Sequence, residues 1–529
     1  VTAALLVLSL LAGCWPAAEE APKPERAAKV GKGAKAKKAE VAVAPLTDEL
    51  KALPNVLVIV WDTVRADHTS LYGYPKPTTP KTAAWAAAQG VVYERAVSPG
   101  VWTLPSHASL FTGLPERGHG VDASHNWLDD DHVTVAESLA SQGFDTYAFV
   151  ANPYLPKETN ILQGFAKVES PWSPRWKAAS EAHMKSKLIP DDASTPVSPK
   201  FDGKGGAGNN KYLFKEAGPV AAEALFAWAD ARPEPERPFF AFLNYMEAHL
   251  PRIPSMEARR QVMSEALIQR SFGVIQSTTT FHEYMVGVHT YDPLDLEAIV
   301  GVYDASLIDL DAATAALFDE LDRRGLADDT IIVLTSDHGE NLGDHGLLLH
   351  KYTVANSLSR VPLVVSWKGH LAPTRIEQPT SVAAALVDAL DAGKIPLDAA
   401  LRERLQGRDP DKHGAVAEYG AIADGSIDRM KKLHPDVSTA RLERTFEGIE
   451  HEQWKLVLAM DGAVELYDVR ADPNETKDVA AEHPDVVEAL RARLEGFRAD
   501  WPKWVPRDGS VHPRDAALKE GLEALGYVQ

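Results

Sequence analysis

The stretch NVLVIVWD, Asn55–Asp62, decides how the rest of the chain is read. Six apolar residues in succession, four of them β-branched, end in an acid. The run has strand length, and unbroken rather than alternating apolar character belongs to a strand buried on both faces. The design recurs in TYAFVAN (Thr146–Asn152), PFFAFLNYMEAH (Pro238–His249), TIIVLTSDHGE (Thr330–Glu340) and VPLVVSW (Val361–Trp367). Helical patterns stand between these runs, at Val133–Gln142, Pro219–Ala231 and Leu296–Arg324. Strands buried on both faces and alternating with helices predict an α/β fold, an αβα sandwich around a large, mostly parallel sheet. Ligands of such sheets bind beyond the carboxyl ends of the strands, where Asp62, Glu247, His249, Asp337 and His338 fall.

From about residue 405 the pattern changes. AVAEYG, EQWKLVLAM and GAVELYDV read as short antiparallel strands, followed by a helix from about Pro484 to Phe497, which makes a smaller C-terminal α+β subdomain. Residues 170–215 and 251–295 show no clear periodicity and read as long insertions that wall a substrate cleft. At the other end VTAALLVLSLLAGCW has the length of a signal-peptide core and is too short to span a bilayer. Its Leu-Ala-Gly-Cys resembles a bacterial lipobox, which makes Cys14 the lipidated residue. Residues 23–40 are basic, rich in Ala and Lys, and read as a disordered tether. The organisation expected is a signal peptide over 1–14, a tether over 15–52, a catalytic domain over 53–400 and a C-terminal subdomain over 401–529. The location expected is the bacterial cell envelope, with the protein lipid-anchored and facing the periplasm or the exterior.

The chain has 529 residues, 45% of them hydrophobic, enough for a large core. With 75 Asp and Glu against 55 Lys and Arg the net charge is −20, which argues against a nucleic-acid binder. Cys14 is the only cysteine, so disulfides, thiolate metal sites and a cysteine nucleophile are excluded from this sequence.

One further stretch, GVWTLPSHASLFTG (Gly100–Gly113), holds Thr103 just ahead of Pro105 and an amphipathic run. Threonine before a proline-led helix is a helix cap by its local pattern. Asp62, Asp337 and His338 offer hard oxygen and imidazole ligands, and with the Thr103 oxygen they form a set suited to one divalent ion, Ca²⁺, Mg²⁺, Mn²⁺ or Zn²⁺. An ion there lowers the pKa of a threonine hydroxyl and turns it into a nucleophile. His249, His350 and Lys351 are then placed to bind the non-reacting oxygens of an anionic ester or to protonate its leaving group.

These residues resemble the sulfatases and sulfatase-like hydrolases and transferases of the alkaline phosphatase superfamily. The resemblance runs in order through PNVLVIVWDTVRADHTSLYGY, WTLPSHASLFTGLPERGHGV, PFFAFLNYMEAHLP, TSDHGENLGDHGLLLHK and RVPLVV to WKLVLAMDGAVELYDVRADPNETKDVA. It implies the superfamily's αβα core, a divalent metal and a covalent intermediate. Carried over by position, Asp62, Asp337 and His338 match metal ligands, Thr103 the nucleophile, His249 a substrate-contacting histidine and Lys351 a substrate-contacting lysine. His107, His350, Arg65 and Asn152 complete the substrate-contacting candidates. The resemblance turns the reading of Thr103 from cap to nucleophile.

The sequence also departs from that family. Where sulfatases carry Cys or Ser in a C/S-x-P-x-R motif that becomes formylglycine, this chain reads Thr103-Leu104-Pro105-Ser106-His107. Thr63 replaces the second aspartate of the family's Asp-Asp pair, and FVANPYL stands where a GKWHLG-like segment is expected. A hydrated aldehyde expels sulfate by eliminating its second hydroxyl, whereas a threonine ester must be attacked afresh. The function expected is therefore a metal-dependent hydrolase of sulfate or phosphate esters, with phosphodiesters favoured over sulfate esters. Its substrate is expected to be an anionic ester on a glycan or lipid headgroup, with the membrane reached through the N-terminal lipid. The alternatives are a headgroup transferase of the cell envelope and a lapsed enzyme that only binds an anionic glycan.

Overall fold

The computed structural model describes residues 44–188, 215, 217–274, 276–406, 413–420 and 425–505. The lipobox, Cys14 and most of the tether lie outside the described residues. The end of the expected tether is ordered: Asp48–Lys51 form a helical turn capped by Thr47, and Leu50 is buried.

An eight-stranded sheet organises the chain. Its strands are β1 (Asn55–Trp61), β2 (Gly90–Tyr93), β3 (Asp145–Val150), β4 (Lys167–Glu169), β5 (Phe239–Tyr245), β6 (Thr330–Ser336), β7 (Leu363–Ser366) and β8 (Thr374–Ile376), in the spatial order β8-β2-β7-β6-β1-β5-β3-β4. The neighbours of β1 on both sides, β5 and β6, are parallel to it. Strand β7 pairs antiparallel with both β6 and β2 and runs against the rest. The sheet is thus mostly parallel, with one reversed strand where the apolar run around Val364 gave no sign of direction.

The unbroken apolar character of β1 follows from its place in the middle. Val56, Val58 and Val60 face one core, and Leu57, Ile59 and Trp61 the other, since successive side chains alternate across a strand. Helix α1 (Thr103–Thr112) packs Leu104, Ala108 and Phe111 into the first core. Helices α2 (Ala217–Asp230) and α6 (Pro293–Arg323) cover the second. Helix α6 opens with a capping box on Asp292 and Asp295 and with Pro293 in its first turn.

The expected insertion over 251–295 is helical. Helices α3 (Met256–Val262), α4 (Glu265–Ser271) and α5 (Thr278–Met285) each begin at a serine whose hydroxyl accepts a backbone N–H three residues on: Ser255, Ser264 and Ser277. Each is too short to show periodicity, and the caps were the readable signal.

Four antiparallel strands follow: β9 (Ala415–Tyr419), β10 (Phe446–His451), β11 (Trp454–Ala459) and β12 (Val464–Asp468), in that order across the sheet. Strand β10 has no counterpart in the sequence reading, because Gly448 and two glutamates interrupt its apolar pattern. Helix α7 (Pro484–Asp500) packs Leu490, Leu494 and Phe497 on this sheet. Strand β9 also reaches the main body, where the Glu418 N–H donates to Pro99 O at 2.9 Å and Glu418 pairs with Gly100. Among the described residues no helix is long and apolar enough to cross a membrane.

Candidate active site

Register brings the site together. Trp61 lies level with Ser336 of β6 and Tyr245 of β5, so the next residues, Asp62 and Asp337, emerge side by side at the carboxyl edge. One ligand atom from each of Asp62, Asp337 and His338 lies within 4.8 Å of the others, and all three residues are buried. Asp337 is gripped by backbone: Thr63 N–H and His338 N–H donate to its Oδ1 at 3.2 and 2.9 Å. Asn152 and Asn244 donate to Asp62 Oδ2 at 2.7 and 3.3 Å. The remaining atoms, Asp62 Oδ1, Asp337 Oδ2 and His338 Nε2, are buried without a hydrogen-bond partner.

Three orphaned acceptors converging in a buried pocket are costly unless a cation joins them. Burial raises the Asp62 carboxyl to about 7, with the Asp337 carboxylate adding to the effect. Burial likewise raises Asp337 to about 7 and lowers His338 to about 4. His338 Nδ1 lies 2.9 Å from Gly339 O and donates to it, which leaves Nε2 as a lone pair, the arrangement typical of a metal-ligating imidazole. The residues present therefore fit a divalent ion. Gly339 is required by close packing: a Cβ there would meet Ser357 O at 2.0 Å.

Thr103 is the first residue of α1, and Trp102 is the N-cap residue, with no side-chain cap bond. The cap alternative and the expectation that Pro105 starts the helix are both corrected: the helix begins two residues earlier. The Thr103 hydroxyl instead accepts from Asn152 Nδ2 at 3.1 Å, the same amide that holds Asp62. The first amides and positive dipole end of α1 lie at this hydroxyl.

The other sequence candidates are spread around the cluster. The His350 ring stacks on His338 at 4.6 Å and lies 5.0 Å from that of His249. His350 Nδ1 is 3.4 Å from Glu340 Oε2, a carboxylate that also pairs with Arg252 at 3.1 Å. His249 Nδ1 donates to Leu250 O, and burial holds this imidazole well below its ordinary value, with His350 and Lys215 adding to the effect. Lys351 Nζ stands 5.8 Å from the centre of the ring of Trp102, the residue before Thr103 in the chain.

Three candidates are engaged by the protein's own groups. Arg65 is not brought to the cluster: its guanidinium pairs with Asp67 and Asp344 at 2.7 and 2.6 Å and braces the loop after β6. His107 lies one turn into α1, fully buried against Phe242; its Nδ1 donates to Thr103 O at 2.8 Å and lies 3.8 Å from Asp337 Oδ2. It buttresses Asp337 from within the core. Asn152 bridges Thr103 and Asp62 and so acts on the protein's own groups. Residues missed in the sequence include Asn244, a polar residue inside the apolar β5, and Ser98, whose hydroxyl donates to Asp337 O.

A deep polar cluster at the carboxyl edge of an αβα sheet, with a hydroxyl at a helix start near it, has the parts of a metal-assisted active site. A sequence model described as Sulfatase matches residues 54–392, and the chain belongs to the sulfatase family of the alkaline phosphatase superfamily. Members of the family are metal-dependent, and the match makes this chain a sulfatase-family hydrolase. The chain is 24% identical over 325 residues to the ulvan-active sulfatase of Formosa agariphila, a match that covers 60% of this chain and 56% of that protein. It is 23% identical over 527 residues to an N-acetylgalactosamine-6-O-sulfatase of Bacteroides thetaiotaomicron, covering 84% and 93%. Among solved structures it resembles the phosphonate monoester hydrolase of Agrobacterium radiobacter, with a TM-score of 0.63 at 23% identity over 84% of this chain and 96% of that one. At that identity the likeness is one of fold.

Proposed function

We propose that Thr103 attacks the ester directly and that phosphodiesters are cleaved in preference to sulfate esters. The observation that carries this is the Thr103 hydroxyl, held by the same Asn152 amide as Asp62, at the start of α1 and beside three orphaned ligand atoms. Asp62, Asp337, His338 and Thr103 would hold one divalent ion. Bound there, the ion supplies Lewis-acid stabilisation of the hydroxyl's negative charge and of the attacked group.

The chain's own groups do the rest. Asn152 fixes the Thr103 oxygen, and the α1 amides face the group under attack. Lys351 grips a non-reacting oxygen or gives a proton to the leaving oxygen. His249, neutral and with Nδ1 engaged, offers its Nε2 lone pair to the water that must hydrolyse the threonine ester. Lys351, at the position the resemblance gives to a substrate-contacting lysine and 5.8 Å from the Trp102 ring, is the cationic side chain we assign to the ester, a match for a singly charged group. A threonine ester has no second hydroxyl to eliminate, which disfavours sulfate release. The structural neighbour named a phosphonate monoester hydrolase supports this direction, and relatives named for ulvan and N-acetylgalactosamine-6-O-sulfate support a glycan as the carrier of the ester.

The test is a substrate panel of aryl sulfate, phosphate monoester, phosphodiester and phosphonate monoester, run across Ca²⁺, Mg²⁺, Mn²⁺ and Zn²⁺. The phosphodiester is expected to exceed the aryl sulfate by at least about tenfold in kcat/KM, a difference of about 1.4 kcal/mol in barrier. Faster sulfate cleavage would overturn the preference.

The envelope location is part of the same proposal and rests on Cys14 and the basic segment after it. Cys14→Ser is expected to move the protein from the membrane fraction to the soluble one or to block its processing. Normal processing with retention in the membrane would remove the lipoprotein reading.

A further inference from the structure

The segment that carries His350 and Lys351 is bracketed by two residues in the left-handed region, Leu349 at φ 69° and Tyr352 at φ 73°. Neither is glycine, asparagine or aspartate, the residues that accept this conformation readily. Two strained positions around two functional side chains persist only where surrounding structure over-determines them. On one side the Asn341 amide donates to Lys351 O at 3.3 Å, and Asn341 is itself held by the Ser357 hydroxyl at 2.7 Å. On the other side Tyr352 is buried, and its hydroxyl meets His282 Nε2 at 2.6 Å. His282 Nδ1 lies 2.6 Å from Thr278 O and donates to it, which makes Nε2 the acceptor and the tyrosine hydroxyl the donor. Helix α5, which carries His282, is fastened by its buried Phe281 and Met285.

We infer that His282 is a positioning residue: through Tyr352 it locks the strained turn that aims His350 and Lys351 at the ester. This rests on the reading of Lys351 as a substrate contact. It also gives the helices over 255–285 a task in the reaction, that of a fixed abutment behind the turn. Without the His282–Tyr352 bond the turn can relax towards right-handed backbone, which swings both side chains off the substrate while leaving Thr103 and the metal ligands where they are.

The test uses the full chain with bis(4-nitrophenyl) phosphate and compares His282→Phe and Tyr352→Phe, each alone and combined with Lys351→Ala. Each single variant is expected to raise KM about tenfold with kcat little changed, the mark of lost ground-state binding. In the Lys351→Ala background the same changes are expected to cost clearly less than they do alone, because the part that runs through Lys351 is already gone and only the part through His350 remains. Tyr352→Phe keeps the ring and its packing, so it reports on the bond even where His282→Phe folds poorly. An unchanged KM in Tyr352→Phe, or an equal loss with and without Lys351, would overturn the positioning role. If Lys351→Ala alone leaves KM and kcat at native values, the reading of Lys351 fails first and the positioning role falls with it.

Discussion

Thr103→Ala is expected to lower turnover of a phosphodiester by at least about 10⁴-fold, the scale on which loss of a covalent nucleophile acts. The variant should keep its fold. Thr103 occupies the first helical position and caps nothing, so stability should change by less than about 1 kcal/mol, the usual worth of a cap. Thr103→Ser retains the hydroxyl and should keep measurable activity. The comparison is made by steady-state kinetics beside thermal denaturation. Native turnover in Thr103→Ala would end the nucleophile reading, whatever the substrate.

Removing the metal should have an effect of similar size. Asp337→Asn preserves the acceptor that receives the two backbone N–H groups of Thr63 and His338, but places an NH₂ where the orphaned Oδ2 stood. Turnover should fall at least about 10³-fold, and the rise in Tm on adding a divalent ion should vanish. The native protein adds a test in pH. Burial raises Asp62 and Asp337 to about 7 in the metal-free fold, against an ordinary carboxyl value of 3.8. Stability held by their neutral forms is fully present below about pH 4 and is lost as pH rises through about 7. A bound cation favours the ionised forms and offsets that loss. The gap in Tm between metal-loaded and chelated protein should therefore widen from pH 5.5 to pH 8. A gap that is constant or narrows with pH would show that these carboxylates do not bind the ion.

The clustering of Asp62, Asp337 and His338 was legible because the two acids stand at the ends of unmistakable strands. Asp62 and the Asp337-His338 pair follow apolar runs directly, and the register of three parallel strands does the rest. Asn244 was hidden for the opposite reason: a polar residue inside an apolar strand reads as an interruption until its partner, 182 residues away, is seen. Arg65 looked like a substrate arginine because one of its two carboxylates, Asp344, is 279 residues distant and no local pattern announces the pair. The cap reading of Thr103 rested on spacing to Pro105. The structure starts the helix earlier because Trp102 already has extended backbone at φ −154° and Thr103 turns inward to Asn152. Strand β10 and the helices over 255–285 were lost to short length and mixed polarity.

The bond from Glu418 to Pro99 carries a consequence for how the enzyme comes into being. The loop leading to Thr103 gains its edge from a strand that is synthesised more than three hundred residues later. A chain emerging from the ribosome or threading through a translocon can form local helices and neighbouring strands early. The loop before Thr103, already tied through Ser98 to Ser359 and Asp337, lacks its bond to β9 until the C-terminal sheet arrives. The segment before Thr103 therefore completes its backbone pairing among the last events in assembly.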